Sequence, residues 1–286
     1  MQIQKICRII RLKVNIHAVN NSHDTRNQHM PHNTFKHSGA LGDLIYSLPI
    51  VKHFGGGDFY LHLNQIDWIG QHYYGNPPDP FHQGRMTRAD FDYMKSFMLA
   101  QHYINSFGVL DSSTEITHNL DRFRLPFVGH PGNYISIYSS VFGLAPEQDR
   151  ACQTTPWLQV AQPVRVPGRP WVINRSSRWI PSSPGPQWSQ WIQAGLADQA
   201  VFVGLESEHR AWCQVMGCSI PWHPTQDQLE LASVIAGAEV FVGNQSQCLA
   251  LAIGLGVEQV WCEARQDIPL DRNECYFPAN PRIKYF

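Results

Sequence analysis

The sequence has no run of about 18 apolar residues, the length a helix needs to cross a bilayer, so no membrane-spanning helix is expected. Charged residues are scarce, at 16% of the chain, and 22 basic against 23 acidic side chains leave a formal charge of -1. That balance removes any general electrostatic attraction for nucleic acid or an anionic membrane surface. Paired cysteines are missing too. The seven, at 7, 152, 213, 218, 248, 262 and 275, follow no C-x-x-C rhythm, so neither a zinc site nor a disulfide framework is indicated and reduced thiols in a cytoplasmic setting are expected. A signal-peptide core is lacking as well, because Arg8, Arg11, Lys13 and Asn15 interrupt the apolar stretch from Ile6 to Ile16.

What is present is 286 residues with 43% hydrophobic content, enough for two cores of ordinary domain size. Residues 1–29 differ from the rest. A basic-apolar piece leads into Asn20-Asn21-Ser22-His23-Asp24-Thr25-Arg26-Asn27-Gln28-His29, a polar tract without periodicity that cannot offset its own ordering entropy. It is read as an extension outside the fold, with Met30 as an alternative start. A chain beginning at Met30 is expected to melt within about two degrees of the full-length protein, and a fall of about 10 °C would show that the segment packs into the fold. Six of the fourteen histidines (His17, His23, His29, His32, His37 and His53) cluster in or near this region without ligand spacing, so no metal site is assigned.

From Thr34 onward the pattern is strand, glycine turn, helix. Thr34-Phe35-Lys36-His37-Ser38 is followed by Gly39-Ala40-Leu41-Gly42-Asp43 and then by the helix-like spacing of Leu44, Ile45, Leu48, Ile50 and Val51. A second strand is expected at Phe59–Leu63, a helix over Arg85–Gln101 and another over Tyr134–Phe142. The proline-rich stretch between about 145 and 170 reads as a linker. Beyond it strands are predicted at 171–174, 200–204, near 219, 239–243 and 259–261, alternating with helices. Short apolar strands alternating with helices imply parallel sheets covered on both faces, with ligands at the carboxyl ends of the strands. The expected organisation is therefore α/β, with one domain over 30–165, a second over 166–286, and a C-terminal tail free to return to the first.

Three loops at such strand ends carry candidate chemistry. In Ser38-Gly39-Ala40-Leu41-Gly42-Asp43 the glycines admit a ligand close to the backbone, and the helix behind offers N–H groups and a positive dipole end. Asp43 reads either as a helix N-cap or first-turn acid, or as a general base taking a proton from an acceptor hydroxyl. Arg175 and Arg178, in Asn174-Arg175-Ser176-Ser177-Arg178, suit bidentate phosphate contact or else are solvated surface charges. Ser246, in Gly243-Asn244-Gln245-Ser246-Gln247, is a helix N-cap or a donor to phosphate or sugar. Gly204, Glu206, Glu208 and His209 form a further loop that could reach a ribose or base, and Glu263, just past another strand, is read in the same way.

These segments together resemble the glycosyltransferase family that contains the ADP-heptose:lipopolysaccharide heptosyltransferases, family 9. His37 to Pro49 is similar to its opening loop, Asn174 to Arg178 with Trp188 and Trp191 to the loop that meets the diphosphate, and Phe241 to Ser246 followed by Ala250 to Val257 to its donor-holding signature. The resemblance implies a GT-B fold: two Rossmann-like domains facing each other across a cleft, the acceptor held by the first and the nucleotide sugar by the second, without an obligatory metal or other cofactor. It matches Asp43 to the catalytic base, Arg178 to the basic phosphate-binding residue and Ser246 to a hydroxyl residue beside the donor phosphates. The chain departs from the family pattern at Gln245 in place of an acid, Gln247 in place of glycine and Ala250 in place of histidine. Glycosyl transfer from a nucleotide sugar is the leading expectation, a nucleotide- or sugar-binding protein without turnover the second, and a two-domain nucleotide-sugar epimerase the third.

Overall fold

A computed structural model describes residues 32–64, 86–125, 132–177, 185–265, 268–272 and 275–286. The N-terminal extension and Arg178 lie outside the described residues. Residues His32–Phe286 form one compact unit.

The first half opens with strand β1, Thr34–His37, and helix α1, Leu41–His53. Strand β2, Gly57–Leu61, helix α2, Arg88–Leu99, and strand β3, Ile104–Val109, follow. A two-residue strand β4, His118–Asn119, leads into a short 3-10 helix, Leu120–Arg124, and then come α3, Tyr134–Val141, and α4, Pro146–Thr154. The strands pair in parallel in the order β3-β2-β1-β4, which leaves β1 central.

The second half carries β5, Trp171–Asn174; α5, Pro186–Gln193; α6, Leu196–Gln199; β6, Ala200–Phe202; α7, Glu206–Met216; and α8, Gln228–Ala236. It is completed by β7, Val240–Gly243; α9, Gln247–Leu255; β8, Gln259–Cys262; and β9, Ile283–Tyr285. All five strands are parallel, in the order β6-β5-β7-β8-β9. Val172, Ile173, Val201, Phe202 and Val240 to Val242 are buried, the unbroken apolar runs required of strands with helices on both faces. The helices start where polar side chains take up their first free N–H groups. Thr87 and Asp90 form a reciprocal capping box on α2, Asp227 accepts the Glu230 N–H at 2.8 Å, and Ser246 accepts that of Leu249 at 3.4 Å.

Two expectations need correction. The stretch from 145 to 170 is not a linker throughout: residues 146–154 are α4, and just after it Trp157 and Leu158 are buried against Gly254, while most of 161–168 is exposed. Two large apolar side chains outweigh the extended bias of the prolines around them, since each gains about 1.5 to 3 kcal/mol on burial. No regular strand forms near Ser219; Trp222 makes a single bridge to Phe202 instead. The tail supplies β9 to the five-stranded sheet, and on its way there Phe277 packs on Tyr46 and Asn280 donates to the Gln153 carbonyl at 2.9 Å.

One continuous apolar cluster runs through both halves, from Phe35 and Phe59 to Phe241 and Val260. Helix α1 packs on α9 and α2 on α8. Polar contacts pin the same seam: Ser96 donates to Asp227 at 2.6 Å, the Trp157 indole to the Ile45 carbonyl at 3.2 Å, and the Tyr103 hydroxyl to the Trp157 carbonyl at 2.9 Å. A second cluster, with Trp188 and Trp212 fully buried, fills the other face of the five-stranded sheet.

Candidate functional site

At the carboxyl end of β1 the chain turns through Ser38 and Gly39 into α1. Ala40 is the N-cap residue and gives no side-chain cap, so Asp43 is the third residue of the helix, a first-turn acid rather than the cap. Its side chain is 20% exposed and its Oδ2 lies 3.8 Å from Arg124 Nη2. A short hydrogen-bond relay fixes the loop beneath it. The Gly39 N–H donates to His37 Nδ1 at 3.0 Å, His37 Nε2 meets the Tyr138 hydroxyl at 2.8 Å, and that hydroxyl donates to the Asp43 carbonyl at 3.1 Å. Because Nδ1 accepts and the tyrosine's own proton is committed to Asp43, the ring proton sits on Nε2. Burial pushes this ring down to about 3, against the opposing pull of Asp121, so the relay works with a neutral histidine.

A stability prediction follows. The unfolded ring titrates near 6.5 and the folded ring near 3, so below pH 6.5 the unfolded state binds the extra proton and stability falls with pH. Between pH 7 and pH 5 the loss should approach about 2 kcal/mol from this group, at about 1.4 kcal/mol per pH unit. Urea unfolding across that window should show a steeper slope in the wild type than in His37→Gln, since His62 and His118, also lowered by burial, contribute to both; parallel slopes would contradict it.

Behind the loop sits a charged group that sequence reading missed. Asp121, fully buried, accepts from the Ser38 N–H at 3.0 Å and the Ser38 hydroxyl at 2.8 Å, pairs with Arg124 and faces Lys36 Nζ at 3.7 Å. Burial would raise its carboxyl; the His37 ring, the Arg124 guanidinium and the Ser38 hydrogen bonds outweigh that and hold it below the usual carboxylate range. With His37 neutral, the cations that face this carboxylate are Arg124 and Lys36.

In the second half, the carboxyl ends of β5 and β7 lie side by side, and their loops are tied together. Asn174 donates to the Val203 carbonyl at 3.0 Å and accepts from the Ser246 hydroxyl at 2.9 Å. Asn244 bonds both backbone groups of Ser176, each at 2.9 Å. Gly204 has φ +104, where a Cβ would stand 2.5 Å from Asn174 Nδ2, so the turn after β6 fits only glycine. Gly243 ends β7, Gln245 is buried, and Gln247, the first residue of α9, is half-buried. Ser177 is exposed and gives its N–H to Glu208 at 3.2 Å.

Several sequence readings change here. Arg175 is no surface charge: it is buried and forms a two-pronged pair with Glu263 at 2.6 and 3.1 Å. The two residues are 88 apart in sequence, and β7 brings the ends of β5 and β8 within reach. Glu263 is equally buried, so it is not a solvent-facing group poised for a ribose. Glu206 is exposed on α7, whereas Glu208 accepts the Leu205 and Ser177 N–H groups. His209 is tied to the Ile220 carbonyl at 2.8 Å. Ala250 is fully buried within α9, where a polar side chain would need a partner.

The first and third loops meet. Gly42, in the first turn of α1, is so placed that a methyl on it would lie 3.9 Å from the backbone nitrogen and Cα of Gln247. Two helix N-termini, each a partial positive pole, thus come together beside Asp43. Among the described residues no group of three or more His, Cys, Asp or Glu side chains is placed to hold a metal ion, and no helix is long and apolar enough to cross a membrane.

No protein-family model matches the sequence, and no curated protein matches it. Solved structures do match its fold. The glycosyl transferase family 9 protein from Veillonella parvula superposes with a TM-score of 0.57 at 10% identity, over 89% of this chain and 85% of that one. The ADP-heptose lps heptosyltransferase II of E. coli gives 0.52 at 12% identity, over 89% and 90%. The chain therefore has the GT-B-type α/β fold of these glycosyltransferases, with its two parallel sheets in the place of their two Rossmann-like halves.

Proposed function

We infer that this protein is a glycosyltransferase that moves a sugar from a nucleotide-sugar donor to a hydroxyl-bearing acceptor, in the cytoplasm and without a metal. The observation that carries the reading is the meeting of the α1 and α9 N-termini beside a part-exposed Asp43. Two positive helix poles at one point are unfavourable alone and favourable around an anion, and a donor diphosphate is such an anion.

In this mechanism Asp43 accepts the acceptor's hydroxyl proton as that oxygen bonds to the anomeric carbon. The bond from the anomeric carbon to the diphosphate oxygen breaks at the same time. The diphosphate departs with the electron pair toward the start of α9, where the backbone N–H groups compensate its charge, the Ser246 hydroxyl turns to it from Asn174, and Arg178 is the proposed cation. Loop residues 38–42 line the acceptor side; Asn174, Ser177, Gly204, Gly243, Asn244, Gln245 and Gln247 shape the donor side. Arg175 acts indirectly, through Glu263.

A second reading, donor binding without turnover, has its own support. The side chains of Asn174, Asn244 and Glu208 are already engaged with neighbouring loops, and Gln245 and Ala250 stand where the resembled family has an acid and a histidine. A panel of UDP-, GDP-, ADP-, CMP- and dTDP-linked sugars separates the two. One donor should raise the melting temperature, as expected for a ligand that binds only the folded state, and should release its nucleotide, a nucleoside diphosphate or, from a CMP-linked sugar, CMP, once a hydroxyl-bearing acceptor is added. Stabilisation without release supports the binding reading, and no stabilisation by any of them counts against both.

A further inference from the structure

Arg124 serves two acids at once. Its Nη1 pairs with the buried Asp121, its Nη2 lies 3.8 Å from Asp43 Oδ2, and its guanidinium rests 4.5 Å above the Phe123 ring. Asp121 alone needs only a nearby positive charge, and Lys36 already provides one at 3.7 Å. The second prong needs a planar fork. Its path to Asp43 crosses Gly39, where any Cβ would collide with Arg124 Nη2. The residue at 39 therefore decides whether the arginine reaches the acid.

A carboxylate that takes a proton in the reaction must hold one rotamer within hydrogen-bond reach of the hydroxyl, and an aspartate at a part-exposed helix position has several staggered rotamers open to it. Resting on the transferase reading above, we propose that Arg124 is a positioning residue that orients the Asp43 carboxylate for proton acceptance, with Gly39 as the gap that lets it do so. Ser38 takes part through Asp121, whose carboxylate it holds with both its N–H and its hydroxyl. The loop is thereby coupled to the base that it presents.

Arg124→Lys keeps the charge beside Asp121 but cannot span both acids, and Gly39→Ala keeps the arginine and blocks its path. With whichever panel donor the wild type turns over, each variant should lower kcat about 10- to 100-fold, the size of a small misplacement of a reacting group. The KM for donor should stay within about twofold, as for an interaction made only in the transition state. In an Asp43→Asn background neither change should alter kcat by more than about twofold, because the group being oriented is gone. An equal fall in kcat in both backgrounds, or unchanged kcat in the single variants, overturns the positioning role. If no donor is turned over by the wild type, the transferase reading fails, and the pairing is then judged by urea unfolding of Arg124→Lys, Asp43→Asn and the double variant. Non-additive midpoints support the coupling of Arg124 to Asp43; additive midpoints overturn it.

Discussion

Glu263→Gln is expected to be among the most destabilising single changes in the second half, costing about 3 to 5 kcal/mol, because it strands the Arg175 guanidinium in the interior without a counter-charge. The pair is deeply buried, with 4% and 2% side-chain exposure, and its geometry is two-pronged. In a protein of this size each kcal/mol corresponds to about 2 to 4 °C of melting temperature, so the drop should be roughly 10 °C. The paired replacement Arg175→Met with Glu263→Leu should recover most of the loss, since well-packed apolar side chains of similar volume often match a buried ion pair. Recovery would separate the need for a filled, neutral interior from any need for the charges themselves. Because the pair holds the base of the loop that carries Ser176 and Ser177, the rescued protein should still bind the stabilising donor of the panel. An unchanged melting temperature for Glu263→Gln would show that Arg175 finds water or another partner in solution.

Asp43→Asn should leave donor stabilisation intact and lower turnover by about 10²- to 10⁴-fold, the usual range for loss of a general base. The amide keeps the size of the side chain and can still face Arg124, but it cannot take the acceptor's proton. Its place in the first turn of α1 gives a competing expectation: a first-turn acid contributes about 0.3 to 1 kcal/mol through the helix dipole. The two roles part cleanly in experiment. A dipole role alone predicts a melting shift of a few degrees with near-normal kcat, and that result would move the base elsewhere; a large fall in kcat with little change in melting supports proton acceptance.

The alternation of short apolar strands and helices was legible because each element answers to its own neighbours in sequence. Val172, Ile173 and Val240 to Val242 read as buried strands without knowledge of a partner, and Ser246 and Asp227 mark helix starts by side chains that reach only three residues. The loops carrying Asp43 and Ser246 could be found by the same local logic, glycine next to a helix start. Helix α4 and the docked stretch after it were hidden by their proline and glutamine content, since the burial of Trp157 depends on α1 and α9, which are distant in sequence.

Charge pairing was not legible at all. Nothing around Asp121 or Arg124 marks them as parts of a site, for Asp121 meets Ser38 across 83 residues, and Arg175 sits in a local context that suits a phosphate contact as well as a surface charge. By itself the sequence determined the element pattern, the parallel α/β class and the strand-end loops, because backbone propensity, apolar period and helix capping act over a few residues. Only the tertiary structure decided that Arg175 turns inward to Glu263, that Arg124 stands over Gly39 against Asp43, and that the starts of α1 and α9 meet. Coulomb and hydrogen-bond energies depend on distances of a few ångströms between side chains, and those distances are set by how the sheets and helices pack.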